Sequence, residues 1–276
     1  MTKETCRKLR RKGCSIGQIA QRLGLSESTV HWHVKDIALT KAQRLRLRER
    51  WRHIMARVNA KRRGKPIKPI AFKTPSWSTD LVHLVAHLSF DGRIDRYGCS
   101  YYNRSVSQVM HVKRLFERLL GVTPKRQLRS NGVWVVSCYN VQIAAWLGKR
   151  QQELLQVVRR HEMWQRQWLR ALFDDEGHIH WSPHTRRVRA SQDDEDVLRH
   201  ARQFLAGIRI KSRLDLGARA VEITGRENLS EFKNRINFSP GIRVNASRKN
   251  GLWNRSFEKR TLLALAINSY KQNTAL

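Results

Sequence analysis

Acidic residues are scarce in this chain: 22 Asp and Glu face 55 Lys and Arg across 276 residues, leaving a formal charge of +33 and a pI near 11.4. That imbalance implies a polyanionic partner, nucleic acid first and an anionic membrane surface second. Long apolar runs are missing as well. The longest one near the C-terminus, Leu262 to Ile267, is far too short to span a bilayer, and Met1-Thr2-Lys3-Glu4 opens without a signal-peptide core. A soluble, unexported chain with no membrane role is expected, cytoplasmic and nucleoid-associated or organellar. Cysteines are few, and Cys6, Cys14, Cys99 and Cys138 show no CxxC spacing, which removes support for a zinc ribbon or a disulfide framework and leaves reduced thiols. Apolar residues as a class are not lacking: at 40% of 276 residues they suffice for one large or two modest folded domains.

One stretch organises the rest. Leu169-Arg170-Ala171-Leu172-Phe173-Asp174-Asp175-Glu176-Gly177 is an apolar helix pattern that runs into acids and stops at glycine, and Leu84-Val85-Ala86-His87-Leu88-Ser89-Phe90-Asp91-Gly92 has the same outline. Glycine at this place is read as a left-handed helix stop, so each helix presents Asp91 or Glu176 in its last turn. A carboxylate at the negative end of the helix dipole is disfavoured by about 0.3–1 kcal/mol, and two side by side repel further. A bound cation removes both penalties. The copies also continue alike. Gly132 follows Gly92 by 40 residues and Gly217 follows Gly177 by 40; Gly121-Val122 and Gly207-Ile208 each close an amphipathic run, so the chain holds an internal repeat of about 85 residues.

Both stretches resemble the LAGLIDADG motif of homing endonucleases. The resemblance implies an α+β fold in which two αββαββα repeats in one chain are related by a pseudo-twofold axis. The two motif helices pack on that axis, small Ala86 and Ala171 letting the backbones approach, and each sheet forms a saddle over DNA. It also implies that Asp91 and Glu176 are catalytic and bind Mg2+ (or Mn2+), and that a monomer cuts a long specific site in double-stranded DNA. Ser89 and His87 are unusual in the first motif, Ser89 standing where an acid is typical, while the second keeps Asp174. Two other readings stay open: a transcription regulator that uses such a scaffold only to bind DNA, and an RNA-binding maturase.

The N-terminal 40 residues read as a small all-α domain resembling the helix-turn-helix of resolvases and transposases. Ser15 and Gln18 form a capping box, Gly24-Leu25 makes the turn, and Ser26 caps a third helix. Val30, Val34 and Ile37 share one face of that helix and Ser28, Trp32 and Lys35 the other, the candidate DNA-reading side. Residues 41–78 are a basic helix and linker. With 21 Lys and Arg against 4 Asp and Glu, residues 1–78 carry +17 of the total. The first repeat is expected over 79–158 and the second, with a C-terminal helix, over 159–276.

Expected helices are 79–91, 105–120 and 140–148 in the first copy and 162–176, 194–206 and 227–236 in the second. Four strands are expected in each copy, the third of copy two at 209–215. Strand alternation puts Arg187, Arg189 and Ser191 opposite Val188 and Ala190, and Lys211 and Arg213 opposite Ile210, Ser212 and Leu214. Lys125, Gln127 and Arg129 are exposed around Leu128. Such side chains on a two-stranded ribbon can read bases in the major groove or contact phosphates, solvated surface charge being the alternative for any one. Lys211, Arg243, Arg248 and Lys249 compete as the basic residue near the scissile phosphate. His178 and His180, in the absence of an HExxH spacing, fit a sheet-surface role better than metal ligation.

Overall fold

This computed structural model describes residues 2–62, 71–182, 184–244 and 256–270. The chain divides into two compact units, Met1–Pro69 and Ile70–Leu276.

The first unit begins with three short helices, α1 (Thr2–Arg11), α2 (Ile16–Leu23) and α3 (Glu27–Val34), around a core of Cys6, Ile19, Ala20, Val30 and Val34. Local chemistry sets their ends. The Gln18 N–H donates to Ser15 Oγ at 3.2 Å and the Ser15 N–H to Gln18 Oε1 at 2.9 Å, which satisfies two N–H groups that the start of α2 leaves free. Gly24 takes the left-handed turn at φ 65°, and Ser26 Oγ accepts from the Thr29 N–H at 3.1 Å. A fourth helix, α4 (Lys41–Arg62), is tied at its start by Gln43 Nε2 donating to the Arg11 carbonyl at 2.9 Å. None of its described side chains is buried, and Leu45, Trp51 and Ile54 stand exposed among its arginines.

In the second unit one element order occurs twice. The first copy runs α5 (Thr79–Phe90), β1 (Gly92–Asp95), β2 (Gly98–Asn103), α6 (Val106–Leu120), β3 (Lys125–Leu128), β4 (Trp134–Cys138) and α7 (Val141–Val158). The second runs α8 (Glu162–Asp175), β5 (Gly177–Trp181), β6 (Arg186–Ser191), α9 (Glu195–Gly207), β7 (Arg213–Asp215), β8 (Ala220–Thr224) and α10 (Arg226–Arg235), and α11 (Lys259–Asn268) follows it. The sheets have matching antiparallel orders, β1-β2-β4-β3 and β5-β6-β8-β7. The fold is thus α+β with two αββαββα halves and a helical N-terminal unit. Two expected spans are corrected. The helix expected at 140–148 continues to Val158, carried on by Leu154 and Val158, which the core buries; the strand expected at 209–215 shrinks to Arg213–Asp215, because Arg209 takes a left-handed φ of 62° and breaks the extended run.

The two motif helices, α5 and α8, pack on each other through the middle of the unit. Every residue from Leu81 to Leu88 is buried, since α5 meets α6, α7 and α8 as well as its own sheet. Ala86 and Ala171 are fully buried, and the absence of side-chain bulk there admits close backbone approach. At the end of the seam the Phe90 and Trp168 rings meet edge to face with centroids 5.3 Å apart.

Candidate active site and sheet surfaces

Asp91 and Glu176 cap the C-terminal ends of α5 and α8. Their N–H groups donate to the His87 carbonyl at 3.2 Å and the Leu172 carbonyl at 2.8 Å, and both have φ −99°. The glycines that follow are not left-handed, contrary to the expectation. They are needed for space: a Cβ on Gly92 would lie 2.5 Å from the Leu88 backbone, and one on Gly177 2.2 Å from the Phe173 carbonyl oxygen. The chain enters its first strand while still pressed against the last helical turn, and that contact admits only glycine.

Asp91 Oδ2 accepts from Asn103 Nδ2 at 2.8 Å, and Glu176 lines a depression of about 430 Å³ with Ser191, Gln192, Asp193 and Gly217 to Arg219. Burial and then the charge of Asp175 push Asp91 up to about 7. Burial, followed by Asp91 and Asp175, pushes Glu176 up to about 7. Both acids therefore sit where their ionisation opposes that of their neighbours.

Two further groups complete this cluster, and sequence reasoning assigned neither a role. The Asp175 side chain is fully buried and belongs to the second repeat, yet its partners all come from the first: Tyr101 Oη and Gln108 Nε2 donate at 2.5 and 2.7 Å, and His87 Nδ1 lies at 2.8 Å. Burial still pushes it up to about 8. Lys259, at the start of α11, is buried beneath the C-terminal end of α8, where its Nζ donates to the carbonyls of Phe173 (3.2 Å), Asp174 (2.7 Å) and Gly177 (2.7 Å). Burial lowers the Lys259 pKa, opposed by the nearby carboxyls of Asp174, Asp175, Asp91 and Glu176. Three carbonyl acceptors need three N–H donors, which only the charged ammonium has. No local sequence signal marks Lys259, since its partners lie more than eighty residues upstream.

Behind the acids, His83 and His87 on α5 stack with ring centroids 4.5 Å apart, and His111 of α6 lies 5.1 and 5.8 Å from them. Burial, then a neighbouring histidine for His83 and His111, lowers His83 and His87 to about 4 and His111 to about 3, so all three rings are neutral. The i, i+4 spacing of His83 and His87 was the one sequence signal for this group; His111 joins it only through tertiary packing.

The structure places Arg187 and Arg189 opposite the buried Val188 and Ala190, on the same sheet face as His178 and His180, with which they pair in register. They are not independent surface charges. Arg187 Nη1 and Arg189 Nη1 both reach Glu222 Oε1 on β8, at 3.1 and 3.3 Å. Burial and Arg189 lower His178 to about 4. In the first sheet Lys125 and Gln127 are exposed on the edge strand β3, and Arg129 stacks over the Tyr102 ring at 4.9 Å. Leu128 is 51% exposed as well, so β3 has no buried side. Lys211 and Arg213 are exposed, Arg213 within 3.8 Å of Asp215. Arg243 bonds to Ser256, whereas Arg248 and Lys249 lie outside the described residues. In the helical unit Ser28, Trp32 and Lys35 are all exposed, and the Lys35 ammonium sits 3.7 Å over the Trp32 ring.

Residues 163–237, from α8 through α10, match the family model of the LAGLIDADG-like domain. That segment of the second repeat is similar to a LAGLIDADG-like domain. Residues 9–36 match the winged helix-turn-helix DNA-binding family, within a unit that contains helices and no strand among its described residues. No curated protein matches the chain. Among solved structures, mesophilic variants of the homing endonuclease I-DmoI are similar at 14% identity over 59% of this chain and 95% of theirs, TM-score 0.46. The N-terminal LAGLIDADG domain of DUF199/WhiA is similar at 15% identity over 60% of this chain and 87% of that one, TM-score 0.45. Full-length DUF199/WhiA from Thermatoga maritima is similar at 13% identity over 72% and 70%, TM-score 0.46.

Proposed function

We propose that the chain is a site-specific, metal-dependent endonuclease of double-stranded DNA, a single-chain LAGLIDADG enzyme of the homing type acting as a monomer. The observation that carries this reading is the pair of acids at the ends of the two seam helices, each raised to about 7 by burial and by the other carboxyls of the cluster. A scaffold that only binds polyanionic DNA gains nothing from buried acids at its centre. Carboxylate oxygens are the donors that hard divalent cations take, so the donor set fits Mg2+ or Mn2+ held by Asp91 and Glu176. A bound metal there supplies water activation and charge stabilisation for phosphodiester hydrolysis.

The chain's own residues do the rest. Asn103 orients the Asp91 carboxylate, Lys259 holds the end of α8 and so the position of Glu176, and Tyr101, Gln108 and His87 fix Asp175 between the repeats. Lys125, Gln127, Arg129, Arg187, Arg189, Lys211 and Arg213 form the DNA-facing set of the sheets, in which Glu222 fixes the direction of Arg187 and Arg189. Ser28, Trp32 and Lys35 are the candidate readers of the helical unit.

A second reading, a regulator that binds without cutting, draws support from the helix-turn-helix match at residues 9–36. Site selection from a randomised duplex library in Mg2+, with sequencing of new ends, separates the two. Cleavage by the wild type that is lost in Asp91→Asn and in Glu176→Gln, with duplex affinity kept, is the expected result. A wild type that never nicks its selected site in Mg2+ or Mn2+, and amide variants that bind as it does, would establish the regulator instead.

A further inference from the structure

The histidine group behind the acids has chemistry of its own. His83 and His87 lie one turn apart on one face of α5, His111 faces them from α6, and one ring nitrogen from each lies within 4.8 Å of the others. The Nε2 atoms of all three are buried without a hydrogen-bond partner, and so is Asp174 Oδ2, 3.7 Å from His83 Nε2. His83, Asp174 and His87 are 4%, 2% and 0% exposed, so bulk water does not reach these atoms. Buried polar atoms are rarely left unpaired, and several orphans in one place are rarer still. A neutral imidazole carries one N–H and one lone pair, and in the tautomer with the proton on Nδ1 each ring turns a lone pair inward beside the carboxylate; what such a set lacks is something electron-poor at its centre.

We propose that His83, His87 and His111, with Asp174 as the fourth ligand, form a closed site for a borderline transition-metal cation of the Zn2+ class. The ion ties α5 and α6 of the first repeat to α8 of the second. Imidazole nitrogen selects Zn2+ and its neighbours over Mg2+ and Ca2+, which take oxygen, so this site is chemically distinct from the one at Asp91 and Glu176. The dimensions suit it. An ion equidistant from three atoms that lie within 4.8 Å of one another is at most about 2.8 Å from each, so reaching the usual Zn–N distance of about 2.0–2.1 Å takes at most a small inward rotation of each ring. His87 also has the outer partner that metal-bound histidines use: its Nδ1 lies 2.8 Å from Asp175 Oδ2, a contact that fixes the orientation of the ring. Asp175 is held in turn by Tyr101 and Gln108. Three nitrogens and one carboxylate oxygen fill a tetrahedral shell, so the role is structural and independent of whether the protein cuts DNA.

The test uses the untagged full-length chain, stripped with chelator and titrated with Co2+ as a spectroscopic stand-in. Expected are the intense visible bands of four-coordinate cobalt, saturating at one equivalent per chain, bleached by Zn2+ and unaffected by excess Mg2+. His83→Gln and His111→Gln each weaken cobalt binding by at least tenfold, Asp175→Asn weakens it by about 10–100-fold as an outer-sphere change, and Glu176→Gln leaves it intact. Zn2+, but not Mg2+ at equal concentration, raises the thermal midpoint of the stripped wild type. Absence of the bands in the wild type overturns the proposal, as does an unchanged titration in a folded His111→Gln variant. The wild-type titration and thermal shift decide the matter even if both histidine variants fail to fold.

Discussion

Replacing Lys259 by methionine keeps most of the unbranched side chain, one heavy atom shorter, and removes its charge and all three donors. The carbonyls of Phe173, Asp174 and Gly177 then face an S-methyl group at the buried C-terminal end of α8. Hydrogen bonds to a charged group contribute about 1.5–3 kcal/mol each. Relief of the lysine's own desolvation offsets part of the loss of three, and breaking buried charge pairs by removing one partner costs about 3–5 kcal/mol. We take about 3–5 kcal/mol as the expected loss, a large part of the roughly 5–15 kcal/mol that holds a domain folded. With a urea dependence of about 2–3 kcal/mol per molar for a unit this size, the midpoint should fall by about 1–2.5 M with little change in slope. Urea unfolding of the full chain, followed by tryptophan fluorescence with Trp168 in the seam as reporter, measures this. Lys259→Gln, with two N–H donors, should recover part of the loss. A midpoint within about 0.3 M of wild type would show that the three carbonyls do not depend on this ammonium, and would refute its assignment as the cap of α8.

Further expectations follow from the same geometry. Gly177→Ala should cost about 3 kcal/mol or more, because the new Cβ meets the Phe173 carbonyl at 2.2 Å. Gly132→Ala, at φ 77° with open space around it, should cost only about 1–2 kcal/mol; equal losses in the two urea curves would contradict the steric account. Since Asp91 and Glu176 are both raised to about 7, they hold protons below that pH, and Mg2+ must displace them. Calorimetric Mg2+ affinity should therefore be at least about tenfold weaker at pH 6 than at pH 8, and a flat profile would argue against these ligands. Affinity for duplex DNA should fall steeply with salt, by about 0.9 in log K per log salt for each phosphate contacted; a slope near zero would refute DNA binding by the basic surface.

The sequence by itself determined the repeat, the element order and the ends of most helices, because those depend on signals a few residues long. The Ser15/Gln18 box, the Ser26 cap and the alternation around Val188 and Ala190 act between near neighbours, and each is where the pattern put it. The repeat was legible because two helices buried in one seam must both carry small and apolar residues in the same order.

Only the tertiary structure decided why Gly92 and Gly177 are glycine, since a clash with the preceding turn is invisible to a rule about left-handed helix ends. It also decided what surrounds the acids. His87 and Asp175 are 88 residues apart and Lys259 reaches carbonyls 82 to 86 residues away, so their pairing depends on how α5, α8 and α11 cross. The same holds for Glu222, which holds two arginines that strand alternation offered as candidate DNA contacts as a fixed pair. The physical reason is common to all of these: caps and periodicity are short-range and written in adjacent letters, whereas burial raises or lowers a pKa and orphans or satisfies a polar atom only once distant segments have closed over it.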